Sequence, residues 1–221
     1  MSAPIRVLIA DDHQIVAQAL SDVLSHDPEL EVVGVAHDGE SAVREAVRLQ
    51  PDVVLMDILM PGRDGVAATR AIREARPATK VVILTSSEQS RAVIDAIEAG
   101  ASGYVTKDRA LADVKEAVRA AHQGEILASR AQLQRILADL RERRRRNTPP
   151  LPTVRLTERE REVLQELAAG NDNATIAEKL VISPHTLRTH FQNIMHKLNA
   201  HSKLEVVTLA LRQGLVELPR E

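Results

Sequence analysis

The sequence predicts an α/β fold, a doubly wound domain with a five-stranded parallel sheet, followed by a small all-α domain. In residues 5–125, short apolar and β-branched runs alternate with amphipathic stretches of helical period. This alternation is typical of βαβ units, which build parallel sheets. In residues 154–221 the apolar residues recur at helical spacing, without a strand-like run.

The elements of the first domain follow one another in a regular order. The strand-like runs are residues 5–10, 31–36, 52–56, 80–84 and 103–105, and the helical stretches are about 14–25, 40–49, 65–75, 89–99 and 109–122. Gly100 and Gly124 are predicted to end the fourth and fifth helices. Right-handed crossovers between the strands leave few topologies for such a chain.

The charge distribution predicts three segments. Residues 1–125 carry 13 Lys and Arg against 20 Asp and Glu, residues 126–153 carry 7 against 2, and residues 154–221 carry 9 against 9. An acidic N-terminal segment, a basic middle segment and a neutral C-terminal segment favour separate domains. We therefore expect a first domain over 1–125, a linker over 126–153 and a second domain over 154–221.

The composition excludes several classes of function. The chain has no cysteine, which excludes thiol chemistry, thiolate metal sites and disulfides. No apolar run approaches the roughly 18–20 residues that span a bilayer, and the N-terminus lacks the pattern of a signal peptide. We expect a cytoplasmic protein with no membrane partner.

Charged and hydroxyl side chains lie at the ends of four predicted strands. Asp11 and Asp12 follow the first strand, Asp57 the third and Thr85 the fourth, while Lys107 comes shortly after the fifth. Alone, an Asp here is usually a helix cap and a Lys a solvated charge, but ligands of such sheets bind at the carboxyl ends of the strands. Clustered carboxylates call for a cation, and Mg²⁺ prefers oxygen ligands. The joint placement predicts a site for a divalent cation and a phosphoryl group.

The second domain contains one helix with two contrasting faces. Thr157 and Glu160 form a predicted capping box, and Ser183-Pro184 begins the helix 184–198. One face is apolar (Leu187, Phe191, Ile194, Leu198), and the other presents hydrogen-bonding side chains (His185, Thr189, Gln192, His196, with Arg188 on the flank). Such a face suits readout of bases in the major groove of DNA. An ordinary amphipathic helix with a solvated face is the alternative.

The linker is predicted to be a helix followed by a stiff hinge. Leu133, Ile136, Leu137 and Leu140 recur at helical spacing within 129–146, and the prolines of 147–153 end the helix. Arg141 and the run from Arg143 to Arg146 could contact DNA phosphates. They could equally be a solvated charge run.

The motifs of the first domain resemble the flavodoxin-like receiver domain of response regulators. They are Asp11-Asp12-His13, the segment from Asp57 to Gly65, Thr85, and Gly103 to Lys107. The resemblance implies that Asp57 accepts a phosphoryl group from a sensor histidine kinase. It also implies that Mg²⁺ is coordinated by Asp12, Asp57 and the backbone carbonyl of Leu59, with Asp11 acting mostly through a bound water. By the same resemblance, Lys107 and Thr85 contact the phosphoryl group, and Tyr104 is an aromatic switch.

The motifs of the second domain resemble the LuxR-type helix-turn-helix. They include the segments Leu156 to Leu164 and Ser183 to His190, followed by Lys197-Leu198. The resemblance implies that Arg188, Thr189 and Gln192 read bases and that Lys197 and Lys203 hold phosphates, with His185 joining the DNA-binding set from the same helix face.

Together the two resemblances imply a response regulator of the NarL/FixJ type. We expect a transcription factor for double-stranded DNA, gated by Mg²⁺-dependent phosphorylation of Asp57 and homodimeric when phosphorylated. A phosphatase using Asp57 would usually carry a second acid two residues later, where this chain has Leu59; we therefore do not expect an enzyme. The alternative is a constitutive DNA-binding regulator whose receiver is only a protein-docking module.

Overall fold

The computed structural model describes residues 3–60, 64–86, 91–125, 135–136, 138–139 and 154–216. The chain divides into two compact units, residues 1–127 and 128–221. Four residues of the predicted linker helix are described, and all four are helical. The remainder of that helix, the hinge 147–153 and the run from Arg143 to Arg146 lie outside the described residues.

The first unit contains the predicted five-stranded parallel sheet. Its strands are β1 (Ile5–Ala10), β2 (Leu30–Ala36), β3 (Val53–Asp57), β4 (Lys80–Thr85) and β5 (Gly103–Thr106), in the order β2-β1-β3-β4-β5. Its helices are α1 (Gln14–Ser25), α2 (Gly39–Leu49), α3 (Gly65–Ala75), α4 (Arg91–Glu98) and α5 (Lys107–Gln123). The doubly wound α/β prediction is confirmed.

The central strands form the core of this unit. Residues 7–10 of β1 and all of β3 are buried. Strands covered on both faces read as continuous apolar runs, which is why β1 and β3 lack the alternation of a half-exposed strand.

Two boundaries differ from the expectation in a way that matters for the site. Asp57 is the last residue of β3 and pairs in register with Leu84 of β4. Lys107 is the first residue of α5, which begins two positions before the predicted start with Thr106 as its N-cap. Both side chains are therefore placed by regular structure rather than by loops.

The second unit, over residues 154–216, is helical. Its helices are α6 (Glu158–Ala168), α7 (Asn173–Lys179), α8 (Pro184–Leu198) and α9 (Lys203–Gln213). The predicted capping box of Thr157 and Glu160 is present, and Ser183 caps α8 ahead of Pro184. The four apolar residues predicted to anchor α8 are buried (Leu187, Phe191, Ile194, Leu198).

Among the described helices, none combines the length and the apolar character needed to cross a membrane.

Candidate functional site

Two buried carboxylates and one ammonium group meet at the carboxyl edge of the sheet. Asp11 follows β1 and Asp57 ends the neighbouring β3; their exposed fractions are 0% and 3%. The Lys107 Nζ lies 2.7 Å from Asp57 Oδ2 and 2.8 Å from Asp11 Oδ2. The fold thus brings together three residues that the sequence separates widely.

Asp12 and His13 complete the acidic cluster on its exposed side. The His13 amide donates to Asp11 Oδ1 over 2.9 Å, and its ring Nδ1 lies 2.8 Å from Asp12 Oδ1. One ligand atom from each of Asp11, Asp12, His13 and Asp57 falls within 4.8 Å of the others. Three carboxylates face a single ammonium group here, which leaves an excess of negative charge.

The donor set fits a hard divalent cation. Asp11 Oδ2 is buried and, within the described residues, is approached by Lys107 without receiving a well-directed hydrogen bond. A buried carboxylate oxygen in that state is stabilised by a cation. Clustered oxygens with open solvent on one side match Mg²⁺, which retains several waters. The amide of Leu59 donates to Asp57 Oδ1 over 3.2 Å, so the segment after Asp57 folds back over the carboxylate.

Burial and charge set the protonation of the central pair. Burial raises the pKa of Asp57, and the hydrogen bond from Lys107 opposes this shift without cancelling it. For Lys107, burial acts to lower the pKa, but the close contacts with the carboxylates of Asp11 and Asp57 raise it above its ordinary value. Lys107 is therefore held as an ammonium, and an additional cation beside Asp57 would favour its ionised form.

Thr85 and Tyr104 lie on the neighbouring strands β4 and β5, and both are buried. Thr85 ends β4 one position beyond Leu84, the register partner of Asp57, and pairs with Thr106 of β5. Tyr104 lies on β5 opposite Ile83, with 8% of its surface exposed. The ring of Tyr104 thus occupies a buried orientation in this structure.

In the second unit, α8 presents an exposed polar face opposite its buried one. His185, Arg188, Thr189 and Gln192 are all exposed. Lys197, near the end of α8, places its Nζ 2.7 Å from Oε2 of the buried Glu160. The predicted base-reading residues therefore share one accessible surface, while Lys197 is paired to α6.

Lys203 does not lie on that surface. It is 5% exposed, its Nζ donates to Asn173 Oδ1 over 2.7 Å, and the ammonium lies 4.5 Å from the centroid of the Phe191 ring. A phosphate contact needs an accessible ammonium, and this one is packed among α7, α8 and α9. The structure does not support the expected phosphate-binding role of Lys203.

Comparison with known proteins agrees with both halves of this description. The family model of the response regulator receiver domain matches residues 7–119, and that of the bacterial regulatory proteins of the luxR family matches residues 154–210. The transcriptional regulatory protein LiaR of Bacillus subtilis (strain 168) is 39% identical over 96% of this chain and 99% of its own length. The nitrate/nitrite response regulator protein NarP of Escherichia coli (strain K12) is 39% identical over 96% and 97%. The chain belongs to the NarL/FixJ family of two-component response regulators.

A solved structure of the same family matches over the whole chain. The response regulator ChrA of a heme-sensing two-component system is 35% identical, with a TM-score of 0.50, and the match covers 97% of this chain and 100% of that one. The acidic edge of the sheet therefore belongs to a receiver domain and α8 to a LuxR-type DNA-binding domain. Members of this family are transcription regulators and not enzymes.

Several contacts of this response regulator have no signal in the sequence. The Lys197 and Glu160 pair joins residues 37 positions apart, and the Lys203 and Asn173 pair joins residues 30 apart. The periodicity of apolar residues relates only residues within a few helical turns of one another. Residue spacing therefore could not predict either pair. His13 belongs to the Asp11-Asp12-His13 motif, but no signal in the neighbouring sequence predicts that its ring lies against Asp12.

Proposed function

We propose that this response regulator gains sequence-specific DNA binding when a sensor histidine kinase transfers a phosphoryl group to Asp57 in the presence of Mg²⁺. Residues 1–125 would receive the signal, 126–153 would link, and 154–221 would bind DNA. The contact that carries the proposal is that of Lys107 with both Asp11 and Asp57, at 2.8 and 2.7 Å. It supports the proposal because the carboxylate proposed as the nucleophile, a second buried carboxylate and a positive charge meet at one point.

The chemistry required of the protein is limited. A carboxylate oxygen of Asp57 forms a bond to phosphorus while the bond between phosphorus and the kinase histidine breaks. Mg²⁺, held by Asp11, Asp12, Asp57 and the Leu59 carbonyl, would supply positive charge to the transferring oxygens. Lys107 is within reach of the same oxygens because its Nζ already lies 2.7 Å from Asp57 Oδ2.

Phosphorylation would be read out through the neighbouring strands. Thr85 ends the strand next to Asp57, where its hydroxyl can donate to a phosphoryl oxygen, and Tyr104 lies one strand further on. We propose that holding Thr85 and the buried Tyr104 inward reshapes the surface at this edge of the sheet and favours a homodimer. Two linked half-site contacts then raise affinity through effective concentration, with a coupling of about 1–3 kcal/mol.

The surface proposed to contact DNA lies on α8. Arg188, Thr189 and Gln192, with His185, would contact base edges, since they are exposed on a helix anchored by buried apolar residues. Lys197 would reach a phosphate only by leaving Glu160. A DNA-bound regulator with a kinase partner would act in the cytoplasm.

Capture of sheared genomic DNA by the purified full chain tests this function. Beryllofluoride with Mg²⁺ serves as the mimic of the phosphoryl group, and Asp57→Asn is the matched control. We expect strong enrichment of a defined set of fragments with the mimic, and loss of the response in Asp57→Asn. Equal enrichment with and without the mimic would favour the constitutive regulator whose receiver only docks proteins.

A further inference from the structure

His13 begins α1, but its ring does not cap the helix. His13 is the N-cap residue of α1, and its side chain makes no capping hydrogen bond to the first turn. The N-caps of α2 and α3, Asp38 and Asp64, do accept from backbone amides of their helices, as N-cap side chains usually do. The ring of His13 instead places Nδ1 2.8 Å from Asp12 Oδ1. The side chain therefore serves the acidic edge of the sheet rather than the start of α1.

The Asp12 carboxylate depends on this ring for its orientation. The other two carboxylates of the cluster each receive a backbone amide, and each lies within 2.8 Å of Lys107 Nζ. Asp12 is the most exposed of the three, and within the described residues its carboxylate accepts a hydrogen bond from the His13 ring alone. An ionised carboxylate only accepts hydrogen bonds, so Nδ1 carries the proton of this one.

We propose that His13 is a positioning residue for the divalent cation, because its Nδ1–H holds the Asp12 carboxylate beside those of Asp11 and Asp57. The inference deepens the proposed function and rests on it, since it assumes that Mg²⁺ binds at this edge of the sheet. A partly exposed aspartate otherwise samples several rotamers, and the entropy lost on ordering it weakens cation binding. A hydrogen bond to the ligating carboxylate orders that side chain before the cation arrives.

Two rival roles for the His13 ring lead to different results. The ring could itself be a ligand, since one of its nitrogens lies within 4.8 Å of the carboxylate ligand atoms. Imidazole is a good ligand for Zn²⁺, whereas Mg²⁺ prefers oxygen, so loss of a ligating ring would weaken Zn²⁺ binding far more than Mg²⁺ binding. The ring could also matter only to the fold. However, the side chain is 64% exposed, and its removal takes away little packing.

The test compares cation binding by the full chain and three variants. His13→Ala removes the ring and keeps the backbone amide that donates to Asp11. His13→Asn supplies an amide nitrogen close to the position of Nδ1 and can restore the hydrogen bond. His26→Ala is the matched control, because it removes an exposed histidine whose Nδ1 contacts the Asp22 carbonyl near the other end of α1.

Mg²⁺ and Zn²⁺ are titrated separately into each of the four proteins. The backbone NMR signals of residues 11–13 and 57–59 report binding at this edge of the sheet and give the Kd for each cation. Thermal unfolding without cation reports the stability of the fold independently of cation binding.

We expect His13→Ala to raise the Kd for Mg²⁺ about tenfold, the lower end of the range for a lost partner of a metal ligand, because this pair is open to solvent. The Kd for Zn²⁺ should rise by a similar factor. His13→Asn should recover most of the loss, and His26→Ala should match the wild type. His13→Ala and the wild type should unfold at the same temperature without cation.

An unchanged Kd for Mg²⁺ in His13→Ala would overturn the inference and leave the proposed function standing. So would a loss that His13→Asn does not repair, or a loss far larger for Zn²⁺ than for Mg²⁺, which would make the ring a ligand. A lower unfolding temperature of cation-free His13→Ala would also overturn it, by giving the ring a role in the fold. If Mg²⁺ shifted none of these signals in the wild type, the proposed function would fail together with the inference.

Discussion

Gly65 lies so close to the backbone of Asp57 that only a residue without a side chain fits there. A β-carbon there would lie 2.0 Å from the carbonyl oxygen of Asp57 and 2.8 Å from the Cα of Ile58, both rigid backbone. Its amide donates to the Ile58 carbonyl over 3.0 Å, which draws the start of α3 against the end of β3. The position of Asp57 thus depends on a backbone approach that no other residue type permits.

Gly65→Ala is therefore expected to displace the end of β3. Overpacking of this kind destabilises a domain by about 1–3 kcal/mol, and phosphorylation of Asp57 by a small phosphodonor should slow. Denaturant unfolding and phosphoryl incorporation measure the two effects. Gly103→Ala is the matched control, since a β-carbon at Gly103 would meet nothing within 4 Å; equal losses in both variants would contradict the steric argument.

Lys203 is expected to act as a positioning residue in the DNA-binding domain. Lys203→Met removes the hydrogen bond to Asn173 and the contact of the ammonium with the Phe191 ring, a loss of about 1–3 kcal/mol in stability. The slope of DNA affinity against salt concentration should not change, because a buried ammonium releases no counterions on binding. Arg188→Met, at an exposed position, should lower DNA affinity and leave stability unchanged. If Lys203→Met weakened the dependence of DNA affinity on salt concentration, the result would favour the phosphate contact that the sequence predicts for Lys203.

At the scale of the element, the turn between α7 and α8 contains a strained residue. Val181 has a φ of 52° and is 89% exposed. A β-branched residue is disfavoured in the left-handed region, and its exposed side chain gains no packing in return.

Val181→Gly should stabilise the DNA-binding domain. Relief of the left-handed strain is worth about 1–2 kcal/mol, and the added freedom of glycine in the unfolded chain offsets about 0.5–1 kcal/mol of it. We expect a net gain of about 0.5–1 kcal/mol in the free energy of unfolding. Val181→Ala retains the β-carbon and should gain less; an equal gain would point to a cause other than backbone strain.

The contact between α6 and α8 should depend on pH. Burial acts to raise the pKa of Glu160, but Lys197 and the groups of Thr157 outweigh it and hold the pKa below its ordinary value. A lowered pKa contributes stability that is present above the ordinary glutamate range and is lost as the pH falls through the folded-state value. In the wild type, the hydrogen-exchange protection of residues 158–168 in the full chain, taken relative to the intrinsic exchange rate at each pH, should fall on acidification.

Two variants check this pH dependence. Glu160→Gln should be less stable near neutral pH and show a weaker response to acid over that helix. Glu158→Gln, in the exposed first turn of the same helix, should behave as the wild type. An identical acid response in Glu160→Gln would exclude Glu160 as the responsible group.

The elements were largely predictable from the sequence, whereas the contacts between them were not. Strand and helix periods are local, and therefore the parallel sheet and the two-faced α8 followed from residue spacing. The predicted start of α5 is two residues late because β5 passes directly into α5 at Lys107, without a loop whose residues would mark the boundary. The burial of Lys203 depends on Asn173 and Phe191, whose proximity is set by packing of three helices and has no trace in the local pattern.

At the scale of the whole molecule, Mg²⁺ is expected to stabilise one unit and not the other. A ligand at 100 times its Kd stabilises the fold that binds it by about 2.7 kcal/mol. Hydrogen exchange of the first unit should slow with Mg²⁺, while residues 158–213 should be unaffected. Asp57→Asn should lose most of the effect; protection that extends equally to both units, or that persists in Asp57→Asn, would contradict a cation held at the acidic edge.

The long separation between the groups that meet at Lys107 has a consequence for biosynthesis. Asp11 and Asp57 leave the ribosome well before Lys107, which follows 96 and 50 positions later. Until β5 and the start of α5 have emerged, a nascent chain holds the acidic groups without their ammonium partner. The three charged groups can therefore meet only after β5 and the start of α5 have left the ribosome, and a chain truncated before Lys107 lacks the ammonium group of this cluster.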